Sequence, residues 1–155
     1  MKRFYVGTVI IIVAIWIMAI ITSGGRLSHY TSIPAFVLVV VVALGASLSN
    51  YNLREIGTFF AVGFRKDGGD RKTLEKGIAF FHALQIYLLI GGFLGTIVGV
   101  IAMLSNLEDT SILGWGMALA LLTVLYALLL ILIIALPFKN GLKRRLIELD
   151  TSSMI

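Results

Sequence analysis

Residues 113–138 read LGWGMALALLTVLYALLLILIIALPF and contain no charged side chain. Such a stretch is long enough to cross a bilayer as a helix, which needs about 20 mostly apolar residues. Three further segments approach or meet this requirement, at about 4–22, 33–48 and 83–104. The one at 33–48 is the shortest, and its core, FVLVVVVAL, is rich in β-branched residues that would favour a strand in water. Lipid gives the backbone no outside hydrogen-bond partner, so helix is expected here as well. Composition agrees: 59% hydrophobic and 14% charged residues, with a mean hydropathy of +1.00, lie outside the range of soluble domains. The expected fold is an all-α membrane protein with four transmembrane helices forming a single domain over residues 1–155. The run at 4–22 is too long for a signal-peptide core and lacks a small-residue cleavage site, so it reads as a retained helix despite Lys2 and Arg3.

Charge placement sets the expected orientation, because short loops rich in Lys and Arg stay in the cytoplasm. Lys2 and Arg3 precede the first span. Arg54, Arg65, Lys66, Arg71, Lys72 and Lys76 lie between the second and third, and Lys139, Lys143, Arg144 and Arg145 follow the fourth. The other two loops hold Arg26 with His29, and Glu108 with Asp109. Both termini are therefore expected in the cytoplasm, with a cytoplasmic connection at about 50–82 and a cytoplasmic tail at 139–155. The net charge of +5 reflects this topology and attraction to anionic headgroups, and no nucleic-acid motif accompanies it.

The connection divides at KDGGD, a strong turn signal, which predicts a pair of helices. Before the turn, Leu53, Ile56, Phe60 and Phe64 recur at helical spacing as an apolar stripe, for a helix lying on the membrane surface or continuing the second span. After it, Asp70 is the expected N-cap of a helix running unbroken from about Arg71 to Leu104. That helix would be about 50 Å long, some 20 Å more than the hydrocarbon core, and would project into the cytoplasm.

Every Asp and Glu falls outside the four apolar segments. Ion pathways in lipid generally need an ionisable group at depth, so a transporter with its own membrane carboxylate is not expected. His82 sits beside Phe80 and Phe81 at the start of the third span and reads as an interfacial histidine rather than a proton relay. Cysteine is absent, no metal-ligand cluster or phosphate loop can be assembled, and no nucleophile, base and orienter occur together. Neither enzyme activity nor a cofactor is expected. Internal repeats are not evident, which leaves an inverted-repeat transporter without support.

The apolar segments offer instead small residues and a few hydroxyls. In GGFLGTIVGVIAML, residues 91–104, Gly91, Gly95 and Gly99 fall at i, i+4 and i+8 and make a smooth face suited to close helix packing. Thr96 beside it either bonds the carbonyl four residues back or faces a water-filled lumen. Thr123 and the late Pro137 are the comparable features of the fourth span, and Pro137 is expected to end or kink the helix at the cytoplasmic boundary.

Read together, these two spans resemble the channel-forming subunits of the MotA/TolQ/ExbB family, most of all its MotA branch. That family carries a GxLGTxxGxI helix, a short loop with an acidic residue, then GxGxAxALxTTxYG and a late proline. Gly92, Leu94, Gly95, Thr96, Gly99 and Ile101 match the first part; Gly114, Gly116, Ala118, Ala120, Leu121, Thr123, Tyr126 and Pro137 match the second. The N-terminal half, GGRLSHYTSIPAFVLVVVVALGASLSNYNLREI, is similar to the stretch joining the first two helices of MotA. The resemblance implies a homopentamer around two helices of a MotB-like or ExbD-like single-span partner, whose membrane aspartate picks up the ion. It further implies a stator-type, energy-transducing subunit of the bacterial inner membrane, turning ion flow into mechanical work. Thr96, Thr123 and Tyr126 would line the ion pathway, while Gly91, Gly92, Gly95, Gly99 and Ala120 would admit the partner helix.

Three departures qualify that likeness. Only about thirty residues stand where flagellar relatives hold a large cytoplasmic domain with rotor-facing charges. The proline that precedes the glycine run in MotA would fall near Leu89, and the threonine pair of the fourth span is Thr123 and Val124 here. The last change weakens sodium coordination and points to protons. The alternative function is a non-conducting membrane scaffold that binds another membrane protein; a small-molecule transporter would need a substrate site that the sequence does not display.

Overall fold

The computed structural model describes residues 31–64, 70–105, 107–108 and 110–152, together with 13–14, 17–18 and 21. Most of the expected first span, the loop after it and the glycine pair of KDGGD lie outside these. The described residues are helical with no strand, and three helices are long and apolar enough to cross a membrane. They are α1 (Ile33–Asn50), the long helix α3 (Arg71–Leu104), and the last helical run, beginning with α4 (Thr110–Leu130).

Helix α1 starts where Ser32 adopts extended backbone, its hydroxyl accepting from the Ala35 amide at 3.4 Å, with Pro34 in the first turn where a missing N–H costs nothing. Its β-branched core is helical, as lipid requires. Ala35, Val39, Ala43 and Ser47 are buried at a spacing of four, a narrow stripe of mostly small side chains packed on the protein, while Val37, Val41 and Leu44 face outward.

The chain breaks at Tyr51 and resumes as α2 (Leu53–Phe64), where the Glu55 carboxylate accepts from the Asn52 amide at 3.2 Å and satisfies a donor at the helix start. The expected apolar stripe is shifted. Phe59 is buried and Ile56 and Phe60 are half-buried, whereas Leu53 (74% exposed) is not covered and Phe64 (73% exposed) touches the core only where its ring meets Phe138 edge-on at 4.9 Å. The shift follows from the neighbours, since α2 lies against α3 and α5 (Leu136–Ser152) and turns toward them the residues that meet their aromatic rings. Phe59, Phe60, Phe80, Phe81 and Phe138 stack or meet edge to face at centroid separations of 5.1–6.3 Å, with Tyr51 against Phe59 and Phe80. These rings form one core with Leu74, Leu84, Leu88 and Leu142.

Helix α3 is unbroken from Arg71 to Leu104, as the sequence predicts. The Asp70 backbone carbonyl accepts from the amides of Thr73 and Leu74 at 2.8 and 3.0 Å, but its side chain makes no capping bond. The first turns of α3 meet the far end of α5 through Arg71, which bridges Glu75 at 3.0 Å and Asp150 at 3.3 Å. Those carboxylates hold the Arg71 guanidinium above its ordinary range, chiefly through the Glu75 hydrogen bond and then the Asp150 charge.

Pro137 does not end the last helix. Between α4 and α5 lies a wide-turn π segment, Ile131–Ala135, and the chain stays helical to Ser152. The Leu136 amide donates to the Ile131 carbonyl five residues back, so the ladder is already displaced where proline lacks a donor and its ring would strike the carbonyl of residue 133. The expected tail at 139–155 is thus helix through Ser152. It packs on α3 and buries Phe138 and Leu142.

Candidate functional site

The glycine face of α3 lies against α4 of the same chain. A Cβ built on Gly92 would stand 2.8 Å from the Ala127 Cβ. One on Gly95 would stand 2.6 Å from the Thr123 Cβ, and one on Gly99 would stand 2.7 Å from the Gly116 carbonyl and 2.8 Å from Ala120. Gly116 returns the contact, its own Cβ position lying 2.9 Å from the Gly99 carbonyl. Only residues without a side chain permit this approach, because ordinary carbon contacts lie at 3.5–4.0 Å. Gly91 faces the other way, 3.1 Å from the Val39 carbonyl of α1. The helix-packing reading of these glycines therefore holds. Gly91, Gly92, Gly95, Gly99 and Ala120, expected to admit a partner helix, are all buried by neighbours within the chain.

Thr96 sits at the edge of this seam, half-buried. Its hydroxyl lies 3.0 Å from the Gly92 carbonyl and 3.1 Å from the Ala120 carbonyl on α4. A hydroxyl has one hydrogen, so these two carbonyls share it, and both lone pairs of the Thr96 oxygen stay available to another donor. Thr123 also donates to the Ala120 carbonyl, at 2.9 Å, but is wholly buried (0% exposed). Its methyl and hydroxyl fill the notch left by Gly95, so within this subunit it lines no open surface. Tyr126 accepts from the Ser32 amide at 2.9 Å, and its ring meets Phe36 edge-on at 5.8 Å. It therefore ties α4 to the start of α1. Val124, at the second position of the threonine pair, is exposed.

Two polar contacts escaped the sequence reading, which searched the spans for charge and hydroxyls. Lys139 Nζ donates to Gln85 Oε1 at 3.3 Å, across from α5 to α3, and Asn50 Nδ2 donates to the Tyr87 hydroxyl at 3.0 Å, from α1 to α3. Gln85 Nε2 is buried without a hydrogen-bond partner among the described residues. Gln85 lies eleven residues before Thr96, close to three whole turns, so it shares that face of α3. A glutamine in an apolar run at that spacing was the signal available. His82 is exposed, one residue past the buried Phe81.

The family model described as the MotA/TolQ/ExbB proton channel family matches residues 67–153. That range covers the seam, the π segment and all of α5. Motility protein A of Aquifex aeolicus (strain VF5) is 51% identical over 47% of this chain, and Motility protein A of Treponema phagedenis is 46% identical over 52%. Chemotaxis protein PomA of Vibrio alginolyticus is 39% identical over 45%. The matched stretches span 29%, 32% and 28% of those relatives' own lengths, so the chain covers under a third of each. With the family model matched over more than half the chain, the α3–α4 seam included, and three helices long and apolar enough to cross a membrane among the described residues, this is a multi-pass membrane protein that belongs to the MotA/TolQ/ExbB proton channel family.

Proposed function

We propose that this chain is the channel-forming, stator-type subunit of an ion-driven membrane motor, working with a single-span partner that supplies the acid. The observation that carries this reading is the α3–α4 seam: a hydroxyl, Thr96, with free lone pairs beside backbone carbonyls, on helices that contain no Asp or Glu from residue 83 to 104 or from 113 to 138. Carrying a proton at depth takes a titratable group, and a carboxylate is the element these helices lack. The names of the relatives, motility protein A and PomA, support a motor component, and the family description supports a proton channel rather than an enzyme. The assembly we favour is a homopentamer in the bacterial cytoplasmic membrane, both termini inside, enclosing two partner helices with a membrane aspartate. Protons are the favoured ion because Val124 replaces a family hydroxyl.

Coexpression with a single-span protein carrying a membrane aspartate, followed by mass measurement in native lipid, tests the assembly. A pentamer with partner bound is expected, and a lone monomer or dimer would sink it. Partner-dependent proton flux into vesicles should fall at least tenfold in Thr96→Val and persist in Thr96→Ser. The scaffold reading draws on a different observation, that the Thr123 hydroxyl and four glycines are consumed by packing within the chain. It predicts partner binding that Thr96→Val leaves unchanged, with no flux in either form.

A further inference from the structure

Near Ala35, α1 is packed against Leu119 and Leu122 of α4, but toward the end of the bundle that holds α2 these helices part. A half-open cavity of about 140 Å³ occupies the gap. Ala43 and Leu44 of α1 form one wall and Ile134 of the π segment the other, with Leu88 behind and Phe60 and Phe80 closing the floor. The one hydroxyl in the lining, that of Ser47, donates to the Ala43 carbonyl at 2.7 Å and offers nothing to a polar ligand. An enclosed apolar cavity of about 150 Å³ takes a ligand of roughly benzene size, so this open crevice has room for a few methylenes of an alkyl chain whose remainder lies outside it.

We propose that this crevice is a lipid site that holds one acyl chain of an anionic phospholipid. The aromatic floor closes the end nearest the charged helices, so an occupant enters sideways. The exposed Leu44 and its outward neighbours Val37 and Val41 give that side the apolar surface that hydrocarbon wets. The headgroup preference follows from charge. Arg54, Lys72, Lys143 and Arg144 at the same end form no ion pair among the described residues, while Lys76, one turn from Phe80 on the same face of α3, is paired with Glu55 at 3.7 Å. A surplus of cations at the level of one leaflet's headgroups selects negative lipid.

The test places a tryptophan at the rim. In the full chain with Trp16→Phe and Trp115→Phe, Leu44→Trp is reconstituted in vesicles of phosphatidylcholine containing either brominated phosphatidylglycerol or brominated phosphatidylcholine. Quenching by the brominated phosphatidylglycerol is expected to be at least twofold stronger. Ala43→Leu, which fills the crevice, should abolish the difference, and Val41→Trp on the outward face should show none. Equal quenching by both lipids, or a preference that survives Ala43→Leu, would leave only bulk lipid and overturn the proposal. No quenching at the rim would mean that residues 4–22 or a second copy cover the crevice, which overturns it equally. Native mass spectra of the unsubstituted chain decide the matter independently of folding of the tryptophan variant. Phosphatidylglycerol should remain bound when phosphatidylcholine is stripped, less so in Ala43→Leu, and loss of both together refutes the site.

Discussion

Gly99→Ala is the sharpest probe of how closely α3 and α4 approach. The new methyl would lie 2.7 Å from the Gly116 carbonyl oxygen and 2.8 Å from both Cβ and N of Ala120. Ordinary contact begins near 3.5 Å, so the helices must separate locally by about 0.7 Å. Two of the three obstructing atoms are backbone, which no rotamer change can move. Overpacking of this kind costs about 1–3 kcal/mol, while alanine regains about 1 kcal/mol of helix propensity over glycine. Gly45→Ala on α1 isolates the second effect, since a Cβ there meets nothing within 4 Å. Propensity cancels between the two variants, and Gly99→Ala should be the less stable by about 1–3 kcal/mol. Detergent-driven unfolding in mixed micelles, followed by Trp115 fluorescence, measures the difference. Equal midpoints for the two variants would refute the close approach and leave the glycine spacing without its structural reason.

Pro137→Ala restores a backbone donor, and the wide turn at Ile131–Ala135 should tighten toward ordinary helix, with slower amide hydrogen exchange over residues 131–138 and a gain of about 1 kcal/mol; unchanged exchange would mean that other packing imposes the wide turn. Arg145 donates to the carbonyls of Val62 at 2.6 Å and Gly63 at 3.5 Å, capping the C-terminal end of α2. Arg145→Ala should cost about 1 kcal/mol and speed exchange selectively across α2, because a cation there meets the negative end of the helix dipole.

Much of the scaffold was legible because lipid restricts the choices. Residues 33–48 form a helix despite their β-branched run, since a bilayer gives backbone groups no other partner. The span from Arg71 to Leu104 contains no proline and its glycines are tolerated, so one long helix was foreseeable, as was its start at Asp70. At Pro137, where the sequence allows either a helix end or a kink, five preceding residues absorb the defect in a wide turn, and burial of Phe138 and Leu142 against α3 keeps the following segment helical. Of the stripe read on α2, Ile56 and Phe60 pack on the core and Leu53 does not, while Phe59 was missed, because the facing is set by rings on two helices distant in sequence.

For the site, spacing and composition alone determined that α3 carries a smooth small-residue face, that a hydroxyl borders it, and that residues 83–104 and 113–138 contain no acid. Tertiary structure decided which helix fills that face. Thr123 occupies the Gly95 notch, Ala120 and Gly116 close on Gly99, and Gly91 turns to α1, leaving Thr96 as the half-buried hydroxyl at the rim. The reason is geometric: a missing side chain permits close approach by any helix, and only the arrangement of all the helices determines which one arrives.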